Sequence, residues 1–175
     1  MSILFVIDMQ KGFITDSNKH LVEKINNLIK SKKFDKVIAT QFINKKNSQY
    51  IKSLNWNDMF SSPQIDFAVD LPKDAIIIKK HSYGLPSSMF KQDGLYVKDF
   101  ILPKTGEIFI CGTDYDACVL AVGYQLFDEG YAPKFIENAI GSPPRNPIDK
   151  NIIQRIMQRH SVIQRQLEHP TPWLT

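Results

Sequence analysis

Three side chains of complementary chemistry follow apolar runs in this chain. Asp8 closes Ile3-Leu-Phe-Val-Ile7, the pair Lys79-Lys80 closes Ala75-Ile-Ile-Ile78, and Cys118 comes shortly after Ile108-Phe-Ile-Cys111. A carboxylate can take a proton, an ammonium can stabilise negative charge, and a thiolate is a nucleophile. Cys118 lies where a strand pattern turns through Gly112 and Thr113 into a helical one. Asp116 reads as the N-cap, Val119, Val122, Leu126 and Phe127 recur at helical spacing, and Gly130 reads as the stop. Unpaired N–H groups and the positive end of the helix dipole favour the anion there, so Cys118 is expected to be prone to the thiolate form. Each residue has an ordinary alternative. A buried cysteine is commonly inert packing, an acid after a strand can cap a loop, and two lysines can be a solvated strand end. Their shared position at one sheet edge is what points to catalysis.

Strands and helices able to bring these groups together are read from the hydrophobic pattern. Ile3 to Ile7 is continuously apolar, as in a strand buried on both faces of a parallel sheet. Asp16 or Ser17 is expected to cap a helix with the stripe Leu21, Ile25, Leu28 and Ile29. A strand is expected over Lys36 to Phe42, and a short helix around Tyr50, Ile51 and Leu54. Residues 56 to 73 read as an irregular, lid-like excursion. The strand Ala75 to Ile78 precedes a helix expected over Phe90 to Leu102. A further strand is expected from Pro133 to Ile136, then a helix capped by Asn146 with Pro147 at its first position and Ile152, Ile153, Ile156 and Met157 inward. Ser161 to Gln164 reads as a last short strand. Strands alternating with helices imply βαβ units, and Asp8, Lys80 and Cys118 then share the carboxyl edge of a parallel sheet.

The 175 residues suit a single domain, 1–175, with a sizeable core. The net charge of +4 comes from scattered basic residues, without the one-sided patch that nucleic-acid binding needs. The two cysteines, Cys111 and Cys118, match no zinc or redox spacing and fit a reducing cytoplasm. No signal peptide or membrane span is expected.

Phe5-Val-Ile-Asp8-Met-Gln-Lys-Gly-Phe13, Lys80-His-Ser-Tyr83 and Ile110-Cys-Gly-Thr-Asp-Tyr-Asp116-Ala-Cys118-Val together resemble the isochorismatase-like cysteine hydrolases, which include the nicotinamidase-related amidohydrolases. The resemblance implies a three-layer α/β/α fold around a six-stranded, mainly parallel sheet. It implies hydrolysis of a C–N bond in a small amide, ureide or carbamoyl compound through a thioester. Asp8 would be the base, Cys118 the nucleophile and Lys80 the ammonium that stabilises both charges and lowers the thiol pKa. Lys80 is preferred to Lys79 because the family places its lysine three residues before the tyrosine, here Tyr83. The N–H groups of Asp114 and Cys118 would form an oxyanion hole, with a cis Thr113–Asp114 peptide. Phe13, Phe42 and Tyr83 are expected at the substrate pocket. Nicotinamidases of this fold bind a metal through Asp-x-His after the second strand. Here that stretch reads Thr40-Gln-Phe-Ile-Asn44, and His20, His81, His160 and His169 are scattered, so neither a metal nor any cofactor is expected. The segment after Tyr83 is Gly84-Leu-Pro where the family has Ser-Ala-Phe. The expected partner is a small-molecule substrate, with a homo-oligomer as a further expectation and neither nucleic acid nor membrane. A catalytically silent binding or assembly protein on the same fold is the alternative. A redox role for Cys118 is less well supported, because Cys111 is expected to be buried in its strand rather than beside it.

Overall fold

The computed structural model describes residues 1–142, 155–156 and 162–164. A six-stranded sheet is built from β1 (Ser2–Ile7), β2 (Lys36–Phe42), β3 (Ile76–Lys80), β7 (Glu107–Gly112), β8 (Pro133–Ile140) and β9 (Val162–Gln164). Its spatial order is β3-β2-β1-β7-β8-β9, and every neighbouring pair is parallel. The chain steps outward from β1 to β3 on one side, then returns to place β7 on the other flank of β1. The boundary between β1 and β7 is therefore the switch point, where loops leave in opposite directions and open a crevice at the carboxyl ends.

The pleat sorts β1 onto two cores. Ile3, Phe5 and Ile7 face one side, with Val119, Val122 and Leu126 packed on them. Leu4 and Val6 face the other, against Leu21 and Ile25 of α1 (His20–Lys30). A second short helix, α2 (Gln49–Leu54), stands beside the carboxyl edge, and α3 (Leu120–Asp128) comes after the turn that bears Cys118. Among the described residues no helix is long and apolar enough to cross a membrane.

The helix expected over Phe90 to Leu102 is not there. The segment forms a three-stranded antiparallel meander of β4 (Phe90–Lys91), β5 (Gly94–Val97) and β6 (Phe100–Pro103). Leu95 and Val97 alternate inward, and with Leu102 they join α3 on the same face of the main sheet. Two turn signals outweigh the run of apolar residues. Gln92-Asp93 forms the two-residue turn that brings Gly94 opposite Lys91, and Lys98, with φ 53°, supplies the left-handed residue of the second.

Neither Asp16 nor Ser17 caps α1. Lys19 occupies that place without a side-chain cap, while Asn18 accepts from the Thr15 N–H (2.7 Å). The strand expected to end at Ile78 continues through Lys80, and the one expected to end at Ile136 continues to Ile140. Residues 56 to 73 are irregular, but they are fastened. Lys11 and Gly12 donate main-chain bonds to Asp66 (2.8 Å) and Gln64 (2.9 Å), and Ala68 donates to Met9 (2.8 Å). This stretch is a fixed wall rather than a lid. The helix expected after Asn146 lies almost wholly outside the described residues, as does the C-terminal tail. Arg155 and Ile156 are helical, and Ile156 packs on the core.

Candidate active site

Gly112 ends β7 with φ 124°, and a Cβ there would stand 2.1 Å from the Ile7 carbonyl oxygen. Only glycine lets the two central strands close so tightly. Thr113 then donates its N–H to that carbonyl (3.0 Å), which draws the turn after β7 against the end of β1. The Thr113–Asp114 peptide is cis, as the resemblance implies. Asp114, not Asp116, takes the N-cap position of the next turn. The N–H groups of Ala117 (3.1 Å) and Val119 (3.0 Å) both point to the Asp114 carbonyl, and the bond from Val119 makes Tyr115–Val119 a single π turn ahead of α3. Such widened turns recur at functional sites. Asp116 instead accepts from the Ser142 hydroxyl.

Asp8, Lys80 and Cys118 meet in this crevice. The Lys80 ammonium is 2.7 Å from Asp8 Oδ2 and 3.4 Å from Cys118 Sγ. It also donates to the carbonyls of Ser82 (2.8 Å) and Tyr83 (3.1 Å). The side chains of Lys80 and Asp8 are 0% and 1% exposed. Lys79 is exposed, so the pleat of β3 decides between the two lysines. Thr40, in β2, fixes the carboxylate: its hydroxyl donates to Asp8 Oδ1 (2.6 Å) and accepts from the Asp8 N–H (3.0 Å).

Electrostatics follow from burial. Burial works against the Lys80 charge, but Asp8 and then Cys118 outweigh it, so its pKa stands above the ordinary lysine value. Cys118 behaves differently from the expectation. Burial first, and then the negative charge of Asp8, push its thiol well up, while Lys80 pulls it down without prevailing. A helix start contributes only modestly to an anion, and desolvation together with a like charge can outweigh it. Here Cys118 is 6% exposed and lies beside Asp8, so burial and the neighbouring acid set the direction of its shift. Cys111 is fully buried in β7, and burial likewise raises its pKa.

Beside Cys118 opens a cavity of about 490 Å³. Phe13, Phe42 and Tyr83 line it, together with Asp114. So do two rings that sequence reasoning passed over, Tyr50 of α2 and Trp56 just beyond it. Phe42 meets Tyr50 at 5.1 Å and Trp56 at 5.7 Å between centroids, and Tyr50 meets Tyr83 at 5.2 Å. Gln10 secures this wall. Its buried amide donates to the carbonyls of Phe42 (2.9 Å) and Ile65 (3.0 Å) and accepts from the Phe42 N–H (2.7 Å). Signals for these residues were present. Thr40 is a polar residue in a strand otherwise buried on both faces, where it needs a partner, and Tyr50 and Trp56 are large rings in a polar stretch.

The segment Gly84-Leu-Pro is held by α3. The Gln125 side chain accepts from the Leu85 N–H (2.7 Å) and donates to the Leu85 carbonyl (3.0 Å). A Cβ on residue 84 would stand 2.8 Å from Gln125 Oε1, so glycine admits this contact.

The residues at the place of Asp-x-His do not fit a metal, which needs several N, O or S ligands. The Phe42 ring lies 5.4 Å from the Lys80 ammonium. Asn44 is engaged: it donates to Asp58 (3.1 Å) and accepts from Lys45 N–H (2.9 Å) and Ser48 Oγ (2.7 Å). Among the described residues no group of three or more His, Cys, Asp or Glu is placed to hold a metal ion. His81 meets the Ile43 carbonyl (2.7 Å) and His20 begins α1, whereas His160 and His169 lie outside the described residues.

Solved structures share this fold. A pyrazinamidase of Pyrococcus horikoshii in complex with zinc aligns with TM-score 0.72 at 21% identity, covering 94% of this chain and 98% of that one. N-carbamoylsarcosine amidase from Thermoplasma acidophilum aligns with TM-score 0.71 at 15% identity, covering 96% and 99%. PnC1 from L. infantum in complex with nicotinate aligns with TM-score 0.71 at 15% identity, covering 93% and 91%. No curated protein matches the chain in sequence at a significant level. The model of the isochorismatase domain matches residues 2–166, the whole span from β1 through β9, and on that match the chain belongs to the isochorismatase family.

Proposed function

We propose that this isochorismatase-family protein is a cysteine-dependent hydrolase of a C–N bond in a small amide, ureide or carbamoyl compound. The observation that carries the reading is the buried ammonium of Lys80 set between Asp8 Oδ2 (2.7 Å) and Cys118 Sγ (3.4 Å) at the wall of a cavity. Pyrazinamidase and N-carbamoylsarcosine amidase on the same fold support a C–N target.

The chemistry proceeds in two halves. As Cys118 Sγ attacks the carbonyl carbon, its proton passes to Asp8, and Lys80 stabilises the sulfur and the carboxylate in turn. The oxyanion of the tetrahedral intermediate is received by the main-chain N–H groups of Asp114 and Cys118, both at the cavity wall. Collapse breaks the C–N bond, and Asp8 returns its proton to the departing ammonia or amine. Asp8 then takes a proton from water, the resulting hydroxide attacks the thioester, and the acid leaves with Cys118 reprotonated.

Cys118→Ala is expected to abolish turnover while leaving the circular dichroism spectrum and Tm close to those of the native protein. The assay is release of ammonia from a panel of amides, ureides and carbamoyl compounds. A substrate adduct on Cys118, seen by mass spectrometry after acid quench, marks the thioester. Undiminished turnover in Cys118→Ala would falsify the mechanism. Exhaustive chelation is expected to leave the rate unchanged, because Phe42 and Asn44 stand where ligands would be needed. Loss of activity on chelation, restored by zinc or iron, is the contrary result.

A further inference from the structure

We propose that Gln125 is a positioning residue for the reaction: its side-chain amide fixes the Leu85 backbone, and with it the Ser82 and Tyr83 carbonyls that aim the Lys80 ammonium at Asp8 and Cys118. This deepens the hydrolase reading and rests on it for the reaction, though not for the aim of the ammonium.

Lys80 has fewer donors than partners. An ammonium carries three N–H bonds. Two are taken by the carbonyls of Ser82 (2.8 Å) and Tyr83 (3.1 Å). The third is left for Asp8 Oδ2 (2.7 Å) and Cys118 Sγ (3.4 Å). Where it points is therefore set by where the two carbonyls stand. Both belong to exposed residues outside any strand or helix. The Ser82 hydroxyl donates to the Gly84 carbonyl (3.0 Å), a bond internal to this turn. The turn is tied to the rest of the molecule at Leu85. The Leu85 residue is 4% exposed and packs in the core, while its N–H and carbonyl both meet the Gln125 amide, at 2.7 and 3.0 Å. One side chain thus engages a residue as a neighbouring strand would, and fixes the rotation of the backbone as well as its depth.

Gly84 is matched to this contact. Gly112 and Gly130 are the glycines with positive φ, so backbone conformation does not call for glycine at 84. Among the described residues, the atoms that a Cβ at 84 would meet are those of the Gln125 amide, Oε1 at 2.8 Å and Cδ at 3.6 Å. A side chain there would push the amide off Leu85. Gln125 is not among the residues that line the cavity, so its influence on the chemistry runs through this backbone.

The test uses the full chain with Gln125→Met, which keeps the length and loses the amide, with Gln125→Ala, with Gly84→Ala, and with Gly84→Ala/Gln125→Ala. On the compound of the panel that is hydrolysed fastest, kcat is expected to fall about ten- to a hundredfold in each single variant, with KM unchanged. Adding Gly84→Ala to Gln125→Ala is expected to cost nothing further, because the contact it disturbs is already gone. The second readout is iodoacetamide labelling of Cys118 in the Asp8→Asn background, where Lys80 is the charge that draws the thiol pKa down. Adding Gln125→Met or Gly84→Ala to that background is expected to raise the inflection by about one pH unit, a tenfold smaller thiolate fraction below it. A turn that was merely loosened would expose the thiol and speed labelling at every pH without moving the inflection. If nothing in the panel is hydrolysed and the inflection still rises, the hydrolase reading fails and the positioning role stands. If the inflection does not rise, the positioning role is overturned whatever happens to kcat, and hydrolysis stands or falls on its own assay. Two further results overturn it: a raised KM with kcat unchanged, which would make Gln125 a support for the pocket wall at Tyr83, and a Gly84→Ala effect as large in Gln125→Ala as in the native chain.

Discussion

Asp8→Asn is expected to slow hydrolysis by about 10²–10⁴-fold and, at the same time, to make Cys118 more reactive towards iodoacetamide at neutral pH. The two effects have opposite signs because Asp8 does two things. It accepts the proton during attack, and at rest its negative charge helps to keep that proton on sulfur. In the native protein burial and Asp8 together hold the thiol pKa up against Lys80. Asparagine removes the second influence, leaves the ammonium 3.4 Å from sulfur, and takes away the counter-ion of Lys80, so a thiolate becomes its natural replacement. The thiol pKa therefore moves down in the variant, and each unit multiplies the thiolate fraction near neutrality about tenfold. The native protein should show no inflection in Cys118 alkylation at or below the ordinary thiol value of about 8.5. The measurement is alkylation rate against pH for both proteins, with the labelled cysteine identified by mass spectrometry. Should Cys118 in Asp8→Asn react no faster than in the native chain at any pH, the assignment of Asp8 as its proton partner is lost.

Lys80→Ala is expected to cost both activity and about 3–5 kcal/mol of stability, the range for breaking a buried ion pair on one side. Asp8 would remain 0% exposed with its charge unopposed. At roughly 2–4 °C per kcal/mol for a chain of this size, Tm should fall by about 6–20 °C. Lys79→Ala, on the exposed side of the same strand, should stay within about 0.5 kcal/mol and keep its activity. The double variant Asp8→Asn/Lys80→Met should recover much of the lost stability, since no charge is then buried alone, yet remain inactive. Thermal melts and ammonia release on the four proteins decide it. If Lys79→Ala is the inactive variant, or Lys80→Ala melts with the native protein, the site has been drawn on the wrong lysine.

Where hydrophobic pattern and topology agreed, the chain was legible. The run Ile3 to Ile7 can only be buried on both faces, and it is: alternate residues feed two cores. Strand-ending polar residues then had to gather at one edge, which is why Asp8, Lys80 and Cys118 could be placed without coordinates. The spacing from Tyr83 selected Lys80, and the pleat of β3 is the physical reason behind that spacing. The meander over Phe90 to Pro103 was missed because short runs of mixed polarity fit either period, and only the turns at Gln92-Asp93 and Lys98 separate them. The upward direction of the Cys118 thiol shift was not legible. Position at a helix start is a local property, whereas burial and the nearness of Asp8 arise only when β1 and β7 pair. Tyr50 and Trp56 belong to the cavity for the same reason, through a fold-back whose ends, Phe42 and Ile65, are held by Gln10 from the loop after β1.

The clasp between Gln125 and Leu85 changes what counts as one mechanical part. Lys80 is cradled by the carbonyls of Ser82 and Tyr83, three and two residues before Leu85, whose backbone Gln125 grips on both sides. Gln125 lies on α3, the helix that continues directly from the turn bearing Cys118. The nucleophile and the cradle of the ammonium thus hang from the same rod, although β3 and β7 are separated by two other strands in the sheet. A displacement of α3 would carry Cys118 and this cradle, whereas the Lys80 backbone is laddered to β2, the strand to which Thr40 also anchors Asp8. The joint that can open in this centre is the one the proton must cross.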